Sequence, residues 1–267
     1  MELSKDAFVD NKALHLAFFD RYLKRSTNKL DFPRARIYIT GANEWRNYDD
    51  YPLPHAKTQR LYLASGGKAN TADGDGRLVA APQSKNAAAD QYVYDPKSPV
   101  PANYDSGTSR LEIQRRHDVL VYTSPVLERT VEAIGPVSLE LHAASDALDT
   151  DFTAVISDVQ ADGRALYLGA RPVGIVRARF RNGLDRAELL TPGKVERYTI
   201  DLGDFAHAFL PGHRIRVEIS SSAFPMFNPN QNTGNPVATD TQWRNATQRI
   251  FHNATHPSAL VLTVAQR

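Results

Sequence analysis

The chain reads Pro211-Gly-His-Arg-Ile-Arg-Val-Glu-Ile-Ser-Ser-Ser222 where its strand pattern is clearest. In an extended chain, Ile215, Val217 and Ile219 point to one face, and the charged residues between them point to the other. Such alternation predicts an antiparallel strand with one packed face and one solvated face. This segment therefore predicts that the protein contains antiparallel β structure.

Eight other short runs, rich in β-branched and aromatic residues, are separated by Gly, Pro, Asn and Asp. They cover residues 59–63, 91–94, 119–122, 137–141, 152–159, 174–180, 196–202 and 259–264. At least nine strands with almost no helix predict a mainly β sandwich or jelly roll. The pattern alone does not choose between these two architectures.

A helix and a strand precede all of these runs. Between about Asp10 and Lys24, apolar residues recur at three- and four-residue spacing: Leu14, Ala17, Phe18 and Tyr22. This spacing predicts a helix with one apolar face, capped by Asp10 or Asn11. Residues 35–40 alternate as a strand, and residues 41–50 are typical of a turn-rich link. We expect this helix and strand to lack a sheet of their own.

Composition narrows the classes of function. The 267-residue chain is 42% apolar, and its 32 basic and 30 acidic side chains leave a net charge near +2. No excess charge favours a nucleic acid or an anionic membrane as a partner. The absence of cysteine excludes disulfides and thiol catalysis. Residues 1–6 contain no apolar signal core, so we expect a soluble chain, with the cytoplasm as the preferred compartment.

The sequence offers no obvious nucleophile. No G-x-S-x-G motif occurs, so the candidates are ordinary serines, chiefly Ser220-Ser221-Ser222 near His213. However, seven residues separate His213 from Ser220, a span of roughly 20 Å along an extended chain. Alternation also turns Ser221 away from its two neighbours. We interpret these serines as polar strand residues that bond to nearby groups, and we predict no catalytic residue.

Two pairs have residue types suited to metal binding or acid–base chemistry. His252 and His256 have a metal-binding spacing for a helix, but Pro257 follows and no acid lies nearby to complete a site. Asp149 and Asp151 could act as paired carboxylates. A structural role, in which they accept hydrogen bonds from backbone or arginine, is the preferred interpretation.

Two further groups suggest ligand binding. Asp73-Gly-Asp-Gly76 could bind calcium, but Asp-Gly pairs are the usual hairpin turn. Trp243, Asn245 and Gln248 offer a limited carbohydrate platform, although a tryptophan at an interface is the preferred interpretation. We predict neither a metal nor a cofactor.

Several longer strings occur in the order found in one family. They are Asp118-Val-Leu-Val-Tyr-Thr-Ser-Pro-Val-Leu127, Asp149-Thr-Asp-Phe-Thr-Ala154, the segment from Pro211 quoted above, Phe224-Pro-Met-Phe227 and Asn230-Gln-Asn-Thr-Gly234. With these strings the chain resembles the C-terminal part of the CocE/NonD hydrolases, a group that includes X-Pro dipeptidyl-peptidases. The resemblance implies a jelly roll of the galactose-binding-like type at residues 55–267.

The resemblance also interprets the N-terminal segment. His15-Leu-Ala-Phe-Phe-Asp-Arg-Tyr-Leu-Lys24 resembles the last helix of the family's α/β-hydrolase domain, and residues 36–46 and 49–54 resemble its exit into the jelly roll. Residues 1–54 are therefore expected to be a hydrolase remnant of one helix and one strand, with a linker. The family's Ser-Asp-His triad lies upstream of this helix, so no member of it maps here and His15 is not the catalytic histidine.

The family resemblance implies a non-catalytic jelly-roll region that braces a serine hydrolase domain and contributes to the wall of its active-site region. The expected partner is an upstream α/β-hydrolase catalytic domain or a second copy of the chain. The predicted interface residues are Phe18, Trp45, Phe224, Phe227, Asn230 and Asn232. Two alternatives stay open: a working ester or amide hydrolase completed by an N-terminal half outside this chain, and an independent carbohydrate-binding module.

Overall fold

A computed structural model describes residues 3–25, 33–102, 109–168 and 174–266. Within these residues the chain is mainly β, with one N-terminal helix, α1 (Asn11–Tyr22), a short helical turn, α2 (Leu111–Gln114), and two 3-10 turns at Lys5–Ala7 and Ala178–Phe180. The strands are β1 (Ala35–Ile39), β2 (Glu44–Tyr48), β3 (Lys57–Ala64), β4 (Arg77–Val79), β5 (Asp90–Tyr94), β6 (Leu120–Thr123), β7 (Val131–Ser145), β8 (Asp151–Val159), β9 (Ala165–Leu168), β10 (Gly174–Arg177), β11 (Glu196–Phe209), β12 (Arg214–Ser220), β13 (Ala246–Phe251) and β14 (Ala259–Val264). No helix in the described ranges is both long enough and apolar enough to cross a membrane.

Twelve of the described strands form one large mixed sheet. The hydrogen-bonded order is β10-β8-β12-β6-β4-β3-β14-β7-β13-β5, with β9 added to β8 and β11 added to β7. Every strand pairing in this sheet is antiparallel except the one between β4 and β6. The long strand β7 pairs with three others, β11, β14 and β13. The sheet is therefore organised around β7.

The main core lies between the inward faces of these strands. Every residue of β8 is buried, and this explains why Phe152 to Ile156 reads as an almost continuous run without polar alternation. The rings of Phe152 and Tyr198 pack with their centroids 4.9 Å apart. Leu139 and Leu141 of β7 are fully buried in the same cluster. One contiguous apolar core thus joins strands from the middle and the end of the chain.

All nine predicted strands are confirmed, but their lengths and number differ from the prediction. β7 and β11 extend well past residues 137–141 and 196–202, because Gly135-Pro136 and a bulge between Asp201 and Gly203 interrupt the pattern without ending the ladder. The prediction missed β2, β4, β9 and β13. In β13 the inward position between Ala246 and Ile250 is the buried amide of Gln248, and this polar residue weakens the alternation.

The solvated face predicted for β12 is wrong. Arg216 and Glu218 point away from the core, yet they are 9% and 4% exposed. The segment containing α2 covers this face, where Gln114 donates to Glu218 (2.9 Å) and accepts from Arg216 (2.8 Å). Arg110 also forms a buried ion pair with Glu218. Alternation identified the strand correctly, but it could not show that a second layer lies over the charged side.

The strand at residues 35–40 has a sheet of its own, so the prediction that it lacks one is wrong. The predicted link contains β2, and a turn at Gly41 and Asn43, both with positive φ, pairs it with β1 in a hairpin. The hairpin covers the edge of β11, because the Thr40 N–H donates to the Ala206 carbonyl (2.9 Å) and the Ala208 N–H donates to the Thr40 carbonyl (2.8 Å). An open strand edge is thereby closed.

We expect Leu139→Ala to lower the free energy of unfolding by roughly 2–5 kcal/mol, because it leaves a cavity in the centre of the core. Leu184→Ala is the matched control, since this leucine is 88% exposed, and its effect should stay within about 0.5 kcal/mol. Chemical denaturation of the two variants measures both values. Equal losses would contradict the placement of β7 at the centre of the core.

Candidate interface

Helix α1 touches the rest of the chain at few points. The Asp10 side chain accepts a hydrogen bond from the Ala13 N–H (3.0 Å), as predicted for the N-cap. Before the helix, the carbonyl of Asp6 accepts from the indole of Trp45 (2.6 Å). An open, mostly apolar groove of about 570 Å³ separates the helix from the hairpin, and it is lined by Val9, Asp10, Ala13, Leu14, Ala17, Arg36 and Trp45. The helix thus rests beside the hairpin without packing closely on it.

The outer surface of α1 and its flanks is strongly apolar. Its exposed large side chains are Phe8 (78%), Leu16 (55%), Phe18 (50%), Phe19 (51%), Tyr22 (63%) and Leu23 (74%). No residue of α1 is buried. The apolar residues are therefore spread around the helix among polar ones rather than confined to the single face that spacing predicted. An exposed apolar surface of this kind is typical of a site that a partner covers.

Trp45 forms the wall of the groove on the hairpin side. Its ring meets Tyr38 edge-on at 5.3 Å, and the guanidinium of Arg36 lies 5.0 Å from its centroid. On the opposite side of the hairpin, Arg46 donates two hydrogen bonds to the buried carboxylate of Glu132 (2.7 and 3.0 Å). The hairpin is consequently fixed to β7, while its Trp45 side faces the groove and α1.

A second apolar surface lies in the loop after β12. Phe224 and Met226 are each 45% exposed, whereas Phe227 packs against the small cluster of Val155 and Ala223. The backbone of Phe224 is anchored, because its carbonyl accepts from the Ala102 N–H (2.7 Å). Of the two predicted phenylalanines in this loop, Phe224 therefore presents its ring outward and Phe227 is held inside.

The predicted asparagines hold the same loop from within. Asn230 is 1% exposed, and its amide donates to Asp149 (2.8 Å) and to Asp151 (2.9 Å). Asn232 is fully buried, and its amide donates to the Arg244 carbonyl (2.7 Å). Both amides bond inside this chain. Their role at an interface remains a prediction, and their contacts show how the loop keeps its shape.

Asp149 and Asp151 have the structural role that the sequence favoured. Arg177 donates two hydrogen bonds to Asp151 (2.9 and 3.0 Å), and Arg179 donates to Asp149 from its side chain (2.7 Å) and its backbone (2.9 Å). Burial raises the pKa of Asp151, although the hydrogen bonds and positive charge of Arg177 act in the opposite direction. Asn230 joins the two carboxylates, so this network connects β8, β10 and the loop.

Two exposed leucines lie beside this loop, a third lies in the same connection as one of them, and sequence reasoning missed all three. A side chain at Gly234 would contact Leu148 and Leu189, which are 40% and 49% exposed, and Leu184 lies in the same connection as Leu189 at 88% exposed. The available signal was the presence of large apolar residues among Asp, Arg and Glu in segments without strand alternation. These leucines belong to no strand or helix pattern and to no motif, so their sequence alone does not mark them as functional.

The serines after β12 are structural, as predicted. Ser220 hydrogen bonds to Thr153 (2.7 Å), Ser221 to the phenol of Tyr92 (2.8 Å), and the Ser222 hydroxyl accepts from the Val100 N–H (2.8 Å). His213 instead lies 2.9 Å from both carboxylate oxygens of Asp158. No serine of this group has a histidine partner in the described structure.

A different serine, histidine and aspartate do meet in the interior. Nε2 of His252 lies 3.0 Å from Ser65 Oγ and 3.0 Å from Asp90 Oδ2, and the Ser65 hydroxyl donates to the same carboxylate oxygen (2.7 Å). In a catalytic triad the aspartate contacts the ring nitrogen opposite the nucleophile. Here both partners share one nitrogen, and all three residues are at most 2% exposed. The group is a buried polar anchor.

The remaining candidates are also separate from one another. The rings of His256 and His142 pack with their centroids 5.7 Å apart. The Asp75 carboxylate accepts from the backbone of Gly66 (2.9 Å) and Lys68 (3.2 Å), which closes the predicted turn. Across the described residues, no three His, Asp or Glu side chains converge in a way that could hold a metal.

The proposed carbohydrate platform is not assembled. Trp243 is 43% exposed and Asn245 is exposed, but Gln248 is fully buried and donates to Thr150 (2.7 Å). A sugar resting on the tryptophan would therefore lack the third residue of the predicted group. The geometry gives this alternative no support.

Comparison with known proteins defines the class. Residues 28–261 match the family described as the X-Pro dipeptidyl-peptidase C-terminal non-catalytic domain. Cocaine esterase from Rhodococcus sp. (strain MB1 Bresler) is 41% identical over 95% of this chain and 46% of its own length. An aminopeptidase from a marine sediment Thaumarchaeota archaeon has a TM-score of 0.83 and 31% identity over 96% of this chain and 44% of its own.

A CocE/NonD family hydrolase from Staphylococcus aureus shares the fold, with a TM-score of 0.70 and 17% identity over 97% of this chain and 46% of its own. The chain belongs to the X-Pro dipeptidyl-peptidase C-terminal domain family, the non-catalytic C-terminal domain of CocE/NonD-type hydrolases. It spans a little under half the length of these three relatives. The family assignment made from sequence is confirmed.

We expect Asn230→Ala to lower the free energy of unfolding by about 1–3 kcal/mol, because two buried carboxylates lose a donor. The loop should also become more susceptible to limited proteolysis. Asn245→Ala is the control, since this asparagine is exposed and nearby in sequence. If both variants matched the parent in stability and cleavage, the bridge would not hold the loop.

Asp90 should make the chain sensitive to acid. Burial alone would raise its pKa, but hydrogen bonds from His252, Ser65, the Ala69 N–H and Tyr122 lower it below its ordinary value. A lowered pKa gives stability that is present above the unfolded-state pKa of about 4 and is lost as pH falls through the folded-state value. The stability difference between the parent and Asp90→Asn should therefore shrink as pH falls below about 4.

Asp185→Asn is the control for this measurement, because Asp185 is exposed in the connection between β10 and β11. Its difference from the parent should stay nearly constant over the same pH range. Denaturant unfolding at stepped pH values gives the comparison. A difference for Asp90→Asn that does not change with pH would contradict the assigned hydrogen bonds.

Proposed function

We propose that this chain is the jelly-roll region of a CocE/NonD-type serine hydrolase and braces the catalytic domain of that enzyme without taking part in the chemistry. The single observation that carries the proposal is the apolar surface of α1, in a chain that matches only the C-terminal part of hydrolases about twice its length. A helix that has no buried residue and four large exposed apolar side chains, with Phe8 and Leu23 exposed at its flanks, requires a partner.

We propose the galactose-binding-like jelly roll for residues 55–267 and a hydrolase remnant with its linker for residues 1–54. The large, mostly antiparallel sheet supports the first part. The isolation of α1 from the main core supports the second. The hairpin β1–β2 then serves as the fixed joint, because it bonds to β11 and β7 on one side and carries the Trp45 groove on the other.

The partner that fits best is an α/β-hydrolase domain placed upstream of α1. Packing α1 on such a domain would bury Phe18 and its exposed neighbours, which removes apolar surface from water at about 25 cal/mol per Å². Self-association through the same helix is the second possibility for this surface. The loop with Phe224 and Met226 is a separate surface, and we assign it to the wall of the active-site region.

An active ester or amide hydrolase results only when a catalytic half completes the chain. The chemistry implied for that half is acyl transfer by a serine, with a histidine as general base and an oxyanion hole. The contribution of this chain would be to hold and shape the catalytic domain. Within the described residues, the serines after β12 and Ser65 all have structural partners, which supports this division of labour.

The test joins this chain to the N-terminal part of the Rhodococcus cocaine esterase in place of that enzyme's own C-terminal domain. We expect the fusion to hydrolyse a p-nitrophenyl ester and to react with a fluorophosphonate probe, while the chain alone does neither. Phe18→Asp in the fusion should lower activity by about tenfold or more, because it places a charge in the contact. Val93→Asp is the control, at a valine 52% exposed on β5, with a change under about twofold.

Labelling of the isolated chain at one serine would overturn the proposal, since it would then have an active site of its own. Equal activity for the Phe18→Asp and Val93→Asp fusions would exclude α1 as the contact. Size-exclusion chromatography of the isolated chain distinguishes the two partners for α1. A dimer that Phe18→Asp dissociates would assign the helix to self-association.

A further inference from the structure

A row of three arginines crosses the charged side of the sheet. Arg77 of β4 lies opposite Thr123 of β6, and Thr123 lies opposite Arg216 of β12. Side chains directly opposite each other in neighbouring strands point to the same face. Arg214 is two residues before Arg216 and therefore shares that face. The register thus gathers Arg77, Arg214 and Arg216 on one side of three adjacent strands.

Arg216 is unusual because it is a buried cation without an acidic contact. It is 9% exposed, and its guanidinium donates to Thr123 (2.9 Å) and to Gln114 (2.8 Å), both uncharged. Within the described structure, none of the three arginines forms an ion pair. Burial lowers the pKa of Arg216, the attraction of Glu218 acts against it, and the charges of Arg214 and Asp73 have smaller, opposite effects. A buried charge in this state is costly unless a counter-ion reaches it.

The same three arginines border a cleft. It measures about 330 Å³ and is open to solvent between the turn before β4 and the segment after β6. The rest of its wall is part polar, from Gly74, Gly76, Thr123 and Ser124, and part apolar, from Ala72, Leu78, Val79 and Pro125. Gly76 brings this turn close to β6, because a Cβ there would lie 2.0 Å from the Val121 carbonyl oxygen. The close approach is what places Arg77 beside Thr123.

The acidic groups around the cleft do not neutralise it. The Glu218 carboxylate already forms an ion pair with Arg110 and accepts a hydrogen bond from Gln114. Asp73 lines the adjoining cleft of about 390 Å³, which shares Arg214 and Arg216, and it is exposed there. One exposed aspartate therefore lies beside two of the three arginines, Arg214 and Arg216. Like charges placed side by side in a sheet destabilise it, and a bound anion would relieve this repulsion.

We propose that Arg77, Arg214 and Arg216 form a binding site for a small oxyanion, either a phosphate group or a carboxylate. Guanidinium groups present paired N–H donors that match both of these anions. The Arg216 donor is held rigidly by Thr123 and Gln114, and Arg77 and Arg214 close on the anion from the cleft rim. The site lies on β4, β6 and β12, whereas the hairpin beside α1 is attached at β7 and β11.

The experiment titrates the chain with inorganic phosphate and, separately, with acetate, and chloride is the reference anion. The ionic strength is held at about 0.15 M, so that general screening is the same in every titration. A saturable rise in the thermal unfolding midpoint and heat of binding by calorimetry are the readouts. Protection by phosphate alone assigns a phosphate group, and protection by acetate alone assigns a carboxylate. Protection by both supports a general oxyanion site, and protection by neither overturns the proposal.

Variants locate the site. Arg214→Gln and Arg77→Gln change exposed side chains and should each weaken binding by about tenfold, the loss expected for one charge-assisted contact. Arg249→Gln is the matched control, since Arg249 is exposed on β13 and bonds only to the neutral Gln91 among the described residues. Binding that Arg249→Gln weakens as much as the other two would overturn the assignment. Arg216→Gln should abolish the response, and if it does not fold, the two exposed variants carry the test.

Discussion

The hydrogen bonding of one long strand, β7, is the constraint on which the rest of the structure depends. Its fifteen residues pair with β11, and with β14 and β13, so it joins segments from the middle and the end of the chain. Near its start, β7 also contributes Glu132, which accepts a hydrogen bond from Arg46 of the hairpin. The N-terminal segment, the core and the C-terminal strands are therefore fixed relative to a single element.

Buried aspartates hold several loops and strand ends in place. Asp90, Asp149 and Asp151 are all at most 1% exposed, and each accepts hydrogen bonds from a different loop or strand end. Buried ionic groups give little net stability compared with apolar packing, but removing one partner is costly. Their value here is in specification, because a loop that must supply Asn230 or Ser65 to a buried carboxylate has few alternative conformations.

How much the sequence predicted depends on whether the information was local. Every strand with clear alternation was found, and the structural interpretation of Asp149, Asp151 and the serines after β12 proved correct. The second layer over β12 and the hairpin β1–β2 were not foreseen, and the exposed apolar surface of α1 is wider than the single face that spacing predicted. Each depends on what lies opposite in space, and neither propensity nor spacing within one segment contains that information.

The charged face of β12 shows how one pattern can serve two purposes. Glu218 and Arg216 are neighbours on this face and both lie under the segment of α2, yet their electrostatic situations are opposite. Glu218 has a buried arginine as its counter-ion, so that end of the strand is closed. Arg216 has only neutral hydrogen-bond partners, and Arg214 and Arg77 place further positive charge beside it. A sheet used only as a brace would gain nothing from this imbalance, so the open end of the row is better explained by a bound anion than by stability.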